Sequence, residues 1–209
     1  MRVLGAAILL ITTSLASYGD ALKNLTRLEQ GWADAHYTAD EDVREEKFEA
    51  LVRTADGIIA TDPQNAELLI WYGQILNGYA DNKSGIGVLA LRRRAKEALE
   101  AAIANDPNAL EGAAYIYLGQ LYAQVPGWPV SFGDEEKSAE LFKQAVEVSP
   151  QSLNTNLTYG RYLFEVGDTQ GAIAALEKAL DAPAREGYEE VEKAQRREAS
   201  SLLLKAKIR

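Results

Sequence analysis

Side-chain catalysis draws on nucleophiles, bases and metal ligands, and this sequence is short of them. Its 209 residues include a single histidine, His36, and no cysteine. Cys–His nucleophilic pairs and the usual zinc or haem ligand sets therefore have nothing to be built from. Carboxylates are plentiful, and Asp40-Glu41-Asp42 and Asp134-Glu135-Glu136 are dense enough to attract a cation. Each run opens a stretch of helical pattern, however, where the positive end of the helix dipole stabilises acidic side chains. Gly85-Ile86-Gly87 carries two glycines of a phosphate loop and lacks the rest of the motif. The sequence predicts no cofactor, no metal and no enzyme.

Charge and hydropathy narrow the partners. Lysine and arginine total 22 against 31 acidic residues, a net charge of −9, which offers no basic face for nucleic acid. Arg92-Arg93-Arg94 with Lys96 is interleaved with apolar residues at helical spacing and reads as a solvated helix face. The N-terminus, MRVLGAAILLITTSLASYGD, has the pattern of a signal peptide over residues 1–16. Arg2 is its positive end, residues 3–15 are mostly apolar, and Ser14-Leu15-Ala16 places small residues at a cleavage site. A spanning helix needs about 20 apolar residues, so no stable membrane anchor is expected after cleavage. With no cysteine after it to carry a lipid, and none for disulfides, the chain reads as exported to a bacterial periplasm and held together by packing alone.

The elements that would position a site repeat along the chain. Asp62-Pro63, Asp106-Pro107 and Ser149-Pro150 each end a helical pattern, with the prolines 44 and 43 residues apart. Gly73, Gly119 and Gly160 follow them by 10, 12 and 10 residues. Small residues recur before the next proline: Ala95 and Ala102, Ser138 and Ala145, Ala172 and Ala179. This pattern resembles the tetratricopeptide repeat (TPR), a helix-turn-helix unit of about 34 residues. The residues that carry it are Leu69, Tyr72, Gly73, Leu76, Leu99 and Pro107, then Tyr115, Leu118, Gly119, Tyr122, Phe142 and Pro150, then Tyr159, Gly160, Leu163, Gly167, Leu176 and Pro183. Asn156, where a large apolar residue is usual, departs from it.

The resemblance implies an all-α, right-handed α-solenoid over residues 17–209. It comprises an atypical helix pair at 20–62, repeats near 66–107, 112–150 and 153–184, and a capping helix at 188–209 with Val191, Ala194 and Leu202 to Leu204 turned inward. No such unit buries its apolar face alone, so stacking is obligatory.

Two inter-helix insertions lengthen the first and second repeats by roughly ten and seven residues relative to the repeat pattern. The first, residues 82–91, reads as an N-terminal extension of the second helix with Ser84 near its cap. The second is Pro126-Gly127-Trp128-Pro129-Val130-Ser131-Phe132-Gly133-Asp134, a fixed loop by its prolines and glycines. Together they carry Ile86, Val88, Leu89, Leu91, Trp128, Val130 and Phe132, which are expected to pack on each other, as a plug on one edge or as a pocket wall. The stretches NKSGIGVLALRRRAKEALEAAI and YAQVPGWPVSFGDEEKSAELFKQAVEVSP are similar to exported bacterial TPR proteins. More loosely, they resemble the T component associated with TRAP transporters. That resemblance implies an oligomeric helical accessory protein that partners a substrate-binding protein and holds an apolar ligand.

In the repeat family the concave groove is lined by fixed positions of each first helix. Mapped here they are Ile70, Gln74 and Asn77, then Ile116 and Gln120, then Leu157 and Arg161. An apolar row beside an amide row suits an extended peptide, or a small ligand with one polar end. Trp128 and Phe132 join the candidate ligand-binding residues. The leading expectation is a non-catalytic, protein-binding periplasmic scaffold; the alternative is a transport-accessory protein that binds a small apolar ligand.

Overall fold

A computed structural model describes the chain from residue 4 onward, with side chains from residue 19 and without that of residue 190. The signal segment read over residues 1–16 lies outside the part whose side chains are described. Among the described residues there are nine α-helices and no strand. No helix among them is long and apolar enough to cross a membrane. The chain divides into two compact units, residues 1–106 and 107–209, at the Asp106-Pro107 step of the proline ruler.

The first unit holds α1 (Leu4–His36), α2 (Glu41–Thr61), α3 (Ala66–Asn82) and α4 (Val88–Asn105). Asp40 caps α2 by accepting from the Val43 N–H, so the first acidic run is a helix start. Asn65 caps α3 in the same way, from the Leu68 N–H. The α3–α4 hairpin closes on Gly73, where a Cβ would lie 2.7 Å from the Leu99 Cγ. Ala95 and Ala102 face that contact fully buried. Small residues at the crossing therefore let large ones interlock, the physical reason for the repeat pattern.

The first insertion differs from its expected form. α3 runs to Asn82, a turn follows, and α4 starts at Val88 behind Gly87 with no side-chain cap. Gly85 and Gly87 have φ of 77° and 104°, left-handed backbone that breaks a helix before it can extend back to Ser84. Ile86 at the tip is 99% exposed, so it belongs to no accessory core, while Leu91 packs inward.

Three helices of this unit are joined by a polar cluster. Tyr72 donates its hydroxyl proton to the Asp56 carboxylate at 2.5 Å, and Arg94 donates to both. Burial and the bond to Asp56 push the Tyr72 hydroxyl up to about 12, against the opposing effect of Arg94. The folded state holds this proton more tightly than the unfolded chain, whose tyrosines titrate near 10. The stability it contributes is therefore complete below about pH 10 and is lost as pH rises towards 12. Absorbance titration at high pH should resolve a tyrosine that titrates near pH 12 and is absent in Tyr72→Phe, and the variant should lose less stability between about pH 10 and 12.

The second unit holds α5 (Ala113–Gln124), α6 (Glu135–Val148), α7 (Leu153–Glu165), α8 (Thr169–Asp181) and α9 (Glu189–Lys207). A short 3-10 turn, Ala109–Gly112, precedes α5. Asp134 caps α6 through the Lys137 N–H, so the second acidic run is again a helix start. At Gly160 the close approach of α7 and α8 repeats that of Gly73, with a Cβ 2.7 Å from the Leu176 Cγ. Ser138 stands where the other repeats carry alanine, and its buried hydroxyl donates to the Gly119 carbonyl at 2.8 Å. Asn156 also finds its reason. Its side-chain amide donates to the carbonyls of Pro150 and Ser152 at 3.0 and 2.9 Å, satisfying the loop before α7 where an apolar side chain would leave it bare.

The capping helix is rotated relative to the sequence expectation. Its inward face is Glu192, Ala199 and Ala206, seven residues apart, with Leu202 and Leu203 packed beside Ala199. Val191 and Leu204 are 56% and 64% exposed, and Ala194 is exposed as well. The cause is a charge network: Arg185 donates to the Glu192 carboxylate at 2.9 Å. Arg196 caps the end of α8 through the carbonyls of Leu180 and Ala182, both at 2.7 Å. The hydrogen bond from Arg185 holds the Glu192 carboxyl below the usual carboxylate range, so the pair stays charged although it faces inward.

Candidate functional site

Each first helix of a repeat has its close-approach glycine, and that glycine sets the direction of the candidate groove residues. Ile70, Ile116 and Leu157 each lie three residues before it, so they share its face and point at the partner helix. They are 1, 2 and 1% exposed. Ile116 packs with Phe142 and Ala145, and Leu157 with Leu176, Ala179 and Ala199. The apolar row expected in the groove is thus core, with little surface for a ligand.

The amide row lies one residue after each glycine and is turned away from the core. Gln74, Gln120 and Arg161 are all half-buried. Gln74 has its carbonyl oxygen shielded from solvent without a hydrogen-bond donor. Asn77 accepts from Arg92 at 2.5 Å, and Arg92 pairs with Asp81 at 2.6 Å, which ties both ends of that turn to α4.

In the second unit the structure brings two predicted residues together. Gln120 from α5 and Arg161 from α7 line one cavity of about 110 Å³, with Gln124, Thr158, Glu165 and the rings of Phe142 and Tyr162. The two rings are stacked at 4.6 Å and form an aromatic wall. Burial pushes the Tyr162 hydroxyl above its ordinary range, which keeps it neutral. Arg161 is oriented by Glu198 of α9 at 2.5 Å, and its side chain remains 37% exposed. The site therefore offers amide groups, a hydroxyl, the Glu165 carboxylate and a guanidinium already paired with Glu198, beside an aromatic surface. Such a set has the chemistry to hydrogen-bond a polar group attached to a flat or apolar stem.

Trp128 and Phe132 are not part of this cavity. Phe132 packs edge-on against Tyr122 with ring centroids 5.5 Å apart, and Trp128 is 90% exposed. The residues missed from the sequence divide by origin. Gln124, Thr158 and Glu165 stand three or four residues from Gln120 and Arg161 on the same helix faces, and helical spacing points to them. Phe142 and Glu198 come from other helices, and only tertiary packing supplies them. Larger hollows lie along α9, of about 580 Å³ around Glu192, Arg196 and Ser200, and along α1, of about 620 Å³ around Leu22, Thr26 and Gln30; both are wide and shallow. Among the described residues, no group of three or more histidine, aspartate or glutamate side chains gathers as a metal site.

The fold is similar to that of solved tetratricopeptide-repeat structures. A thermophilic TPR protein of Thermus thermophilus, TTC0263, superposes with a TM-score of 0.61 at 15% identity, over 93% of this chain and 96% of that one. The MamA fragment from Desulfovibrio magneticus RS-1 gives a TM-score of 0.46 at 15% identity, over 86% and 92% of the two chains. No curated protein matches the chain. The model of the family described as the TRAP transporter T-component matches residues 79–207, which takes in all five α-helices of the second unit, α5 through α9. With its all-α repeat architecture and a family match over more than half its length, the chain belongs to the TRAP transporter T-component family.

Proposed function

We propose that this chain is an exported, non-catalytic interaction module of a TRAP transport system that grips a partner protein through the α5–α7 face of its second unit. One observation carries the reading: the Gln120–Arg161 cavity measures about 110 Å³. A pocket for a small molecule of drug-like size is about 300–1,000 Å³. The cavity matches one inserted side chain or chain end of a larger partner better than a whole small ligand. Its oriented Arg161 suits a partner carboxylate, and Gln120 and Gln124 suit a peptide backbone. Family membership supports the transport-accessory role, and the signal pattern of residues 1–16 supports the reading of an exported chain.

The test is a calorimetric titration of the mature chain with the purified substrate-binding protein of a TRAP transporter from the same organism. Saturable binding is expected, weakened at least tenfold in Arg161→Ala and less in Arg161→Lys, which keeps the charge and loses the fork. Absence of binding would overturn the reading. So would native mass spectrometry of envelope-purified protein showing a bound species of a few hundred daltons that Arg161→Ala releases; that outcome would favour a small ligand.

A further inference from the structure

The loop at residues 126–134, between α5 and α6, is unused by the cavity and is built with unusual care. The Gly133 N–H donates to the Pro126 carbonyl at 3.0 Å and the Asp134 N–H to the Tyr122 carbonyl at 3.1 Å. Val130 and Ser131 both donate to the Gly127 carbonyl, at 3.1 and 3.3 Å. Phe132 is turned in against Tyr122, and the result is that Trp128 and Val130 are turned out, 90% and 60% exposed. An indole in water adds nothing to folding, yet the backbone beneath it is closed by its own hydrogen bonds. A rigid, outward aromatic on a fixed loop is the arrangement that binding favours, because no ordering cost remains for the contact.

The surroundings select the occupant. Asp134 ends the loop and Glu135 and Glu136 follow it directly, all three exposed, on a chain of net charge −9. Such a rim repels anionic lipid headgroups and attracts a border of lysine and arginine. We propose that the 126–134 loop is a preformed docking knob whose Trp128 inserts into an apolar socket, rimmed by basic side chains, on a protein partner. This surface goes beyond the groove reading and does not depend on the Gln120–Arg161 cavity being occupied.

The test places a photo-crosslinking benzoylphenylalanine at position 128 of the full chain, produced in its own organism. The expected result is a crosslink to one polypeptide, identified by mass spectrometry and then purified and titrated with the chain. Trp128→Ala should weaken that binding about 30-fold or more, as at a buried aromatic anchor. Glu135→Gln with Glu136→Gln should weaken it about fivefold at low salt and little at high salt. Because the indole is exposed, Trp128→Ala should keep its circular dichroism and melting temperature, so lost binding is not lost folding. The proposal is overturned by a crosslink to lipid or to a second copy, by no crosslink, or by a Trp128→Ala effect within twofold. It is equally overturned if phosphatidylglycerol vesicles bind the wild type and not the variant.

Discussion

Phe142→Ala is expected to destabilise the protein by about 3–5 kcal/mol and to abolish binding at the Gln120–Arg161 cavity. Phe142 is 2% exposed and stands where three elements meet. Its ring lies against Gly119 of α5, 3.3 Å from the position a Cβ would take, and stacks with Tyr159 and Tyr162 of α7 at 6.2 and 4.6 Å. Truncation removes the transfer free energy of the ring and leaves a cavity that helices held by neighbouring repeats cannot close. Both tyrosines lose a stacking partner, and Tyr162 is itself part of the cavity wall. Phe142→Leu, which keeps most of the volume, should cost far less, about 1–1.5 kcal/mol. Urea denaturation of the three proteins measures the difference. For a chain of this size a loss of about 4 kcal/mol corresponds to a fall in Tm of roughly 10 °C. A loss in Phe142→Ala below about 1.5 kcal/mol would show that the ring is not the keystone described.

The second large effect is expected at Gly133. A Cβ there would lie 1.7 Å from the Val125 carbonyl oxygen, 2.7 Å from its carbon and 2.8 Å from the Pro126 carbonyl carbon, all backbone atoms. No side chain can rotate away to relieve this, so Gly133→Ala must pull the two ends of the loop apart. The bonds from Gly133 to Pro126 and from Asp134 to Tyr122 are the first to go. The expected cost is about 2–3 kcal/mol, confined to the loop and the start of α6. Hydrogen exchange should show the Gly133 and Asp134 amides deprotected while those in the middle of α7 and α8 remain unchanged. Gly57→Ala is the matched control. It sits inside α2 with nothing within 4 Å of the added methyl, so it should stabilise by about 0.5–1 kcal/mol. If both substitutions have the same sign, the close-approach argument fails.

The all-α class, the helix starts at Asp40 and Asp134, and the pairing of Gly73, Gly119 and Gly160 with small residues on the partner helices are all legible in the order of residues alone. These are local or periodic features: a cap needs only its own next turn, and a close crossing needs a residue without a side chain. The position of Gln120 and Arg161, one residue after the glycines, is legible in the same way. Other features come from contacts between distant segments. Ile70, Ile116 and Leu157 were expected to line a groove, but three-residue spacing from the glycine places them in the core, a consequence visible only once the partner helix is there. The inward face of α9 carries Glu192 against the apolar pattern, paired with Arg185 from across a turn and, more loosely, with Arg196 one turn along the helix. The aromatic and apolar residues of the two insertions were expected to cover one another. Left-handed glycines turn the first at Ile86, and the hydrogen bonds within the second turn Phe132 in and Trp128 out, leaving both tips in solvent. Residue types and spacing specify which helices form and how closely two neighbours approach. Which side of an element is buried depends on what the rest of the chain brings against it.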